Sequence, residues 1–559
     1  MTPTLKLKNL LTLFLFFCFV VINYHFAYNF FYADDYHLIR YVTDQQDAQG
    51  FLNQWNLLFD LHNEHRIIFP RLFTLLHYWL NGNSINWQIF NSISLLYYLG
   101  ICWLFYQFFT QLKLSYWYFL PIPFLLFQPQ AYENIYWTIS VLQQVGNLFW
   151  AMLLFWLICT QKPQHFIWAF IIAFVLTFTH GNGLFGIFVA GVILLLQKRY
   201  KQLYIWVAYM LLLFVLYFVT YKAGQNSNIK GSLSNPIQLF RCMFAFWGSF
   251  VWETIKSSFT NNISAVLTGM VLVGTMAFVN IRFVLQKLFP IKYQIADRQV
   301  FLMACFLYLL ITSLLVALSR SWIGGDSGMD IRYMHNSIWA TVLWYLTVLS
   351  NTKAPLQKYL MGSFVIFGIG FNLLSWYNHV DRLEYQYQAN RAEAFNYRNY
   401  GTIVRETIAF NRNIEKTLQA SFQKGVSQYT DRDLDRILQS NAITITQDTL
   451  LLQIKQQVQY LQDPKNPHRM DSYYIDNNTL PYSKDALFVL KSNTRTLLVP
   501  MLFKRTSKGQ FIRTWQYFDK GFITSFITES IPSDNYQLGI LTQKNDKYHL
   551  HLLKNSIAI

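Results

Sequence analysis

Residues 10–31, LLTLFLFFCFVVINYHFAYNFF, followed at 32–36 by YADDY, decide how the whole chain is read. The run is long enough for one helical crossing of a hydrocarbon core, which needs ~20 apolar residues. Lys6 and Lys8 precede it, as in a signal peptide, but no small-residue cleavage site follows and further apolar runs do. It therefore reads as a retained first span. Asp34 and Asp35 stand where that span emerges.

Working outward, further apolar runs fall near 87–110, 115–128, 141–160, 166–179, 184–196, 203–220, 262–281, 299–318, 336–350 and 359–377. The chain of 559 residues is 53% apolar and only 13% charged. Soluble proteins carry about 25% charged residues, so an ordinary cytosolic enzyme is not the expected class. Aromatic residues make up 18%, which suits many membrane interfaces. The five cysteines, Cys18, Cys102, Cys159, Cys242 and Cys305, all precede residue 378, most of them within apolar runs; they form no disulfide framework or CxxC pair.

Charge sets the expected orientation. With the N-terminus inside, inner loops receive Lys113, Lys162, Lys198, Arg199, Lys201, Arg282, Lys287, Lys292, Arg298, Lys353 and Lys358, with Asp297 as their one acid. The outer loops receive Asp34, Asp35, Asp44, Asp47, Asp60, Glu64, Glu133, Glu253, Asp326 and Asp330. That asymmetry follows the positive-inside rule. It requires residues 67–80, with Pro70, Arg71 and His77, to lie as a helix in the outer interface within a first outer loop of 32–86. The expectation is a polytopic α-helical membrane protein of about 11 spans with its tail outside.

Up to residue 377 there are 22 basic and 11 acidic residues; after it, 23 and 17. The later surplus is spread along the tail, so no basic face of the kind that binds nucleic acid is expected. Residues 378–480 read as a largely helical linker, including a helix at 449–461. After Pro481 the runs ALFVLKS, TLLVPMLFKR, FIRTWQYF, FITSFI, YQLGILTQ and YHLHLLK alternate. They predict a small antiparallel sheet or sandwich at 481–559, so the tail is read as an extracytoplasmic α+β domain.

Several residues in the outer loops could carry chemistry. Burial near headgroups raises the pKa of paired carboxylates, which makes Asp34 or Asp35 a candidate general base; a solvated loop start is the plain alternative. His62-Asn63-Glu64-His65-Arg66 and then Arg71 enter an apolar helix, where polar groups are costly unless paired or bound. Arg66 and Arg71 could fork a phosphate; Glu64 and His65 could orient an acceptor or bind a cation. Glu133 lies among aromatics, as support or as structure. Arg320, the Gly324-Gly325 turn, Arg332 and Tyr333 precede a late span, and Gly-Gly backbone N–H groups can face an anion. A transporter would place its ionisable groups at mid-span, where these runs have almost none.

Together these residues resemble the GT-C superfamily of integral-membrane glycosyltransferases, over about residues 8–377. The resemblance implies a polyprenyl-phosphate-linked sugar as donor, a glycan, lipid or protein acceptor, and inverting transfer. It implies Asp34 as first choice for the base and Asp35 as second, with Arg66 and Arg332 gripping the donor phosphate. Some members of the superfamily need a divalent metal and others do not, and no metal-ligand set stands out here. A lipid-linked oligosaccharide polymerase or ligase fits the same outer face. The C-terminus carries no eukaryotic retention signal, so a bacterial cytoplasmic membrane is the expected location.

Overall fold

A computed structural model describes residues 3–221, 228–254, 258–289, 296, 298–429, 434–435, 438, 444–448, 452–461, 468–544 and 547–559. The chain forms two compact units. One comprises Met1–Asn23, Ala48–Leu76 and Asn91–Asn378; the other comprises Tyr24–Asp47, His77–Phe90 and His379–Ile559.

The first unit is helical. Among the described residues, six helices are long and apolar enough to cross a membrane: Trp87–Thr110, Thr138–Cys159, Tyr200–Phe218, Asn262–Leu288, Gln299–Arg320 and Ala354–Tyr400. Shorter apolar helices include Leu10–Phe26, Pro163–Thr177 and Gly183–Leu196. Phe105, Phe155, Tyr308 and Trp339 are fully buried between helices, and Asn147 Nδ2 donates to the Tyr308 hydroxyl at 2.6 Å.

Two departures from the sequence reading lie here. The run 115–128 is not one helix: it holds a 3₁₀ turn at Tyr116–Tyr118 and a helix at Pro121–Leu126. Pro121 and Pro123 lack backbone N–H groups, and six residues rise only about 9 Å, too little for a crossing. Conversely, a helix at Pro236–Gly248 went unpredicted, although Asn235 accepts the Gln238 N–H and proline occupies its first turn.

In the second unit, strands β1 (Thr444–Asp448), β2 (Gln453–Leu461), β3 (His468–Asn477), β4 (Leu487–Lys491), β5 (Thr496–Pro500), β6 (Leu502–Arg505), β7 (Phe518–Ile527), β8 (Asn535–Lys544) and β9 (Lys547–Ala558) form two sheets. The first has the order β1-β9-β8-β4-β5 and the second β2-β3-β7-β6. All pairs are antiparallel except β1 with β9. Strands from either side of residue 480 therefore share sheets.

Phe488 and Val499 of the first sheet meet Phe503, Phe522 and Phe526 of the second in one core. On its other face the first sheet packs Leu487, Val489 and Leu498 against Ala392 and Phe395 of the long helix. Burial on both faces explains why β4 reads as an unbroken apolar run. Asn396 closes the sheet edge, donating to Leu498 O at 2.7 Å and accepting Leu498 N–H at 2.8 Å.

Two tail expectations are overturned. Residues 453–461 of the expected helix at 449–461 are strand β2, because the hydrogen bonds to β3 favour extended backbone; residues 449–451 lie outside the described residues. Within FIRTWQYF, residues 511–514 belong to the helix Lys508–Thr514, capped when Ser507 accepts the Gln510 N–H.

Candidate functional site

Asp34 belongs to the second unit. Residues Ala33–Asp35 form a 3₁₀ turn leading into the helix Tyr36–Asp47. Ala33 holds φ +45°, in the left-handed region that disfavours a Cβ. Asp35 is fully buried and accepts the Tyr32 N–H at 3.3 Å. The adjacent aspartates thus separate: Asp35 shapes the turn, and Asp34 remains the candidate proton acceptor.

The helix that follows is pinned to the helix Ile408–Gln423. Arg40 Nε donates to Thr417 Oγ1 at 3.1 Å, Asn413 Nδ2 donates to the Tyr36 hydroxyl at 3.0 Å, and Lys424 pairs with Asp47 at 2.5 Å. These bonds join the helix Tyr36–Asp47 to the tail inside one unit.

Beside the turn lies a cavity of about 550 Å³. Phe31, Tyr32, Ala33 and Tyr385 line one side, and Tyr474, Ser525 and Phe526 of the second sheet line another. Glu393, Arg405 and Glu406 supply its charge. Glu393 accepts the N–H groups of Val404 and Arg405, each at 2.9 Å, and Arg405 Nε at 3.3 Å.

Glu406 has no such set of donors. Burial pushes its carboxyl up to about 7; Arg405 opposes that rise, while the negative charges of Glu393 and Asp34 add to it. A carboxyl that titrates near neutrality can exchange a proton at working pH, and aromatic faces beside polar groups suit the mixed surface of a sugar. Sequence reasoning missed Glu406. The available signal was the Arg405-Glu406 pair just after Gly401, where the long helix stops with Gly401 at φ +66°.

The other singled-out residues belong to the first unit. Arg66 ends a short hairpin, Leu61–His62 with His65–Arg66, whose turn places Asn63 at φ +53°. Its Nε donates to Tyr217 O at 2.6 Å, Nη1 to Phe59 O, and Nη2 to Val219 O and Thr220 Oγ1. Arg71 Nη1 reaches Leu57 O, Leu58 O and Asp60 O at 3.1, 3.0 and 2.6 Å. Both expected phosphate binders instead hold the chain's own carbonyls, because the loop offers buried acceptors that need donors.

Glu64 Oε1 lies 3.9 Å from His65 Nε2, and the His65 ring is 4.1 Å from that of His180. Burial lowers the pKa of both imidazoles; Glu64 opposes this for His65 and Arg320 reinforces it. Arg320 is thereby brought to His65 from a distant part of the sequence. Gly181 is required there, since a Cβ would stand 2.7 Å from His65 Nδ1. Among the described residues, no group of three or more His, Cys, Asp or Glu side chains could hold a metal ion.

Glu133, Arg332 and Tyr333 also come together. Burial pushes the Glu133 carboxyl up to about 7; Asp330 adds to the rise and Arg332 opposes it. Arg332 Nη2 pairs with Asp330 Oδ2 at 2.9 Å, and its guanidinium lies 5.2 Å from the centre of the Tyr333 ring. The Arg332 Nε is buried without a hydrogen-bond partner. Asn134 Nδ2 fixes this corner by donating to Arg332 O, while its Oδ1 accepts Ser140 Oγ at 2.6 Å. The Gly-Gly turn does not offer Gly325 N–H to an anion: that group donates to Gln238 Oε1 at 2.8 Å.

Comparison with protein-family models and with curated proteins returns no match.

Proposed function

We propose that the chain is a membrane glycosyltransferase that moves a sugar from a polyprenyl-phosphate donor to a glycan, lipid or protein acceptor. Its setting in this reading is the outer face of a bacterial cytoplasmic membrane, with the N-terminus inside. The observation that carries the reading is the Asp34 turn beside an aromatic, sugar-sized cavity whose Glu406 carboxyl titrates at about 7.

The acceptor hydroxyl attacks the anomeric carbon from the face opposite the phosphate. Its oxygen bonds to that carbon as the bond from carbon to phosphate oxygen breaks, and its proton passes to Asp34. The polyprenyl phosphate leaves with the bonding electron pair. Arg332 is the leading phosphate ligand, with an orphaned Nε, and Arg320 is the second. Positioned cations stabilise charge on a departing oxygen.

The test is release of polyprenyl phosphate from a panel of polyprenyl-phosphate hexoses and pentoses by the purified full chain, read by mass spectrometry. Asp34→Asn is expected to lower release by about 10²–10⁴-fold, the usual worth of a positioned base. Release from no member of the panel, or full activity in Asp34→Asn, sinks the reading. The mass of the glycosylated acceptor separates addition of one sugar from polymerisation or ligation of a lipid-linked glycan.

A further inference from the structure

The helix Lys508–Thr514 sits on a loop between β6 and β7 that neither sheet needs for its core. The neck of the loop is closed: Thr506 N–H donates to Tyr517 O at 3.0 Å, and Thr506 Oγ1 donates to Gln516 O at 2.7 Å. Beyond the neck, Ile512 is 71% exposed and Trp515 82%. Trp515 also holds φ +57°, a left-handed conformation that a bulky residue adopts only under constraint. Lys508 and Arg513 are exposed on the same loop.

The neck is tied to the long helix. Asp381 N–H donates to the Tyr517 hydroxyl at 3.1 Å, and Arg505 Nε lies 3.3 Å from Asp381 Oδ2. Asp381 follows the apolar residues 359–377 of the same unbroken helix Ala354–Tyr400 by four positions, or about 6 Å of rise. A headgroup layer is about 5–8 Å deep on each side of the hydrocarbon.

Direction is set by β7. Its start lies beside Asp381, and at its end Ile527 N–H donates to Val404 O at 3.4 Å, just past the far end of the helix. The strand therefore runs beside residues 381–400 of the helix, and the loop before it leaves from the Asp381 end.

We infer that residues 507–516 form a membrane-docking element that seats Ile512 and Trp515 among the headgroups of an anionic phospholipid surface, with Lys508 and Arg513 meeting the phosphates. Tryptophan favours this layer, apolar on one side and wet on the other, and basic residues there are drawn to anionic lipid. Tyr517 and Phe518 are not part of the docking face: Tyr517 holds Asp381, and Phe518 stacks on Tyr482 at 4.0 Å.

The test places photoreactive benzoylphenylalanine at position 515 of the full chain in nanodiscs of phosphatidylcholine, with or without phosphatidylglycerol. Val458 is the control position, exposed on β2 near the Ile527 end of the second sheet. Irradiation is expected to add one phospholipid mass at 515 and none at 458, with more adduct when phosphatidylglycerol is present. Lys508→Glu with Arg513→Glu is expected to reduce the phosphatidylglycerol-dependent yield about tenfold. Position 512 gives the same readout where 515 does not accept the substitution. Absence of lipid adduct at both 515 and 512 overturns the inference, as does loss of the lipid adduct to an added oligosaccharide that crosslinks instead. Equal yields from both lipid compositions overturn the role of the two cations. None of these readouts depends on sugar transfer.

Discussion

Glu393 holds Arg405 twice, accepting its backbone N–H at 2.9 Å and its Nε at 3.3 Å. The guanidinium is thereby fixed against one carboxylate while it faces a second, that of Glu406, on the adjoining residue. Burial raises the pKa of both carboxylates of this cavity; Glu393 has two backbone N–H groups and the Arg405 guanidinium opposing the rise, whereas at Glu406 Arg405 alone opposes it.

Asp34→Asn and Asp35→Ala should separate. Asp34→Asn is expected to remove transfer and leave thermal unfolding unchanged. Asp35→Ala loses the acceptor for Tyr32 N–H and is expected to lower stability by about 0.5–2 kcal/mol, the usual worth of a cap. The measurement is a melting curve in detergent or nanodiscs beside the transfer rate. Equal melting points for both variants would contradict the separate roles.

Stability should fall with rising pH through the Glu406 transition. Its folded pKa, about 7, lies above the ordinary 4.5. The stability linked to this group is therefore fully present below about 4.5 and lost as pH rises through 7. Glu406→Gln imitates the protonated carboxyl and should remove that part of the pH dependence. Transfer should rise through pH 7, because ionised Glu406 strengthens Asp34 as an acceptor; Glu406→Gln should hold the low-pH rate. A midpoint unchanged in Glu406→Gln assigns the transition elsewhere.

What could be read from the sequence was local. The aspartate turn was legible because DD stands directly after an apolar run, and the β-rich tail because β4, β5, β7, β8 and β9 alternate or run apolar. Glu406 was not, because its burial comes from residues far along the chain, such as Tyr474 and Phe526. The carbonyl partners of Arg66 and Arg71 were not legible for the same reason: arginine in a polar loop looks the same whether it meets a phosphate or three carbonyls. FIRTWQYF has strand periodicity, but capping by Ser507 and the bonds holding Tyr517 outweigh it over residues 511–514.

Ala33 carries a testable strain. A left-handed alanine costs about 1–2 kcal/mol, and glycine at such a site removes most of that, offset by about 0.5–1 kcal/mol of chain entropy. Ala33→Gly is expected to match or modestly exceed the native melting temperature. Ala33→Val should fall below it, since a β-branched side chain fits this region worse. The ordering Gly, Ala, Val by melting temperature is the readout, and its reversal shows that the turn relaxes freely.

Arg66 and Arg332 should fail in different ways. Arg66→Met leaves the carbonyls of Phe59, Tyr217 and Val219 without their donor, and each orphaned buried group costs about 1–3 kcal/mol. The variant is expected to unfold at lower temperature, with an unchanged KM for the donor in the fraction that stays folded. Arg332→Gln removes a cation beside Glu133 and Asp330. It is expected to raise the donor KM and lower kcat, and Arg332→Lys should recover part of kcat because the charge is kept but the fork is not. A raised donor KM in Arg66→Met together with a normal one in Arg332→Gln would exchange their roles. It would return the phosphate grip to the hairpin that ends in Arg66.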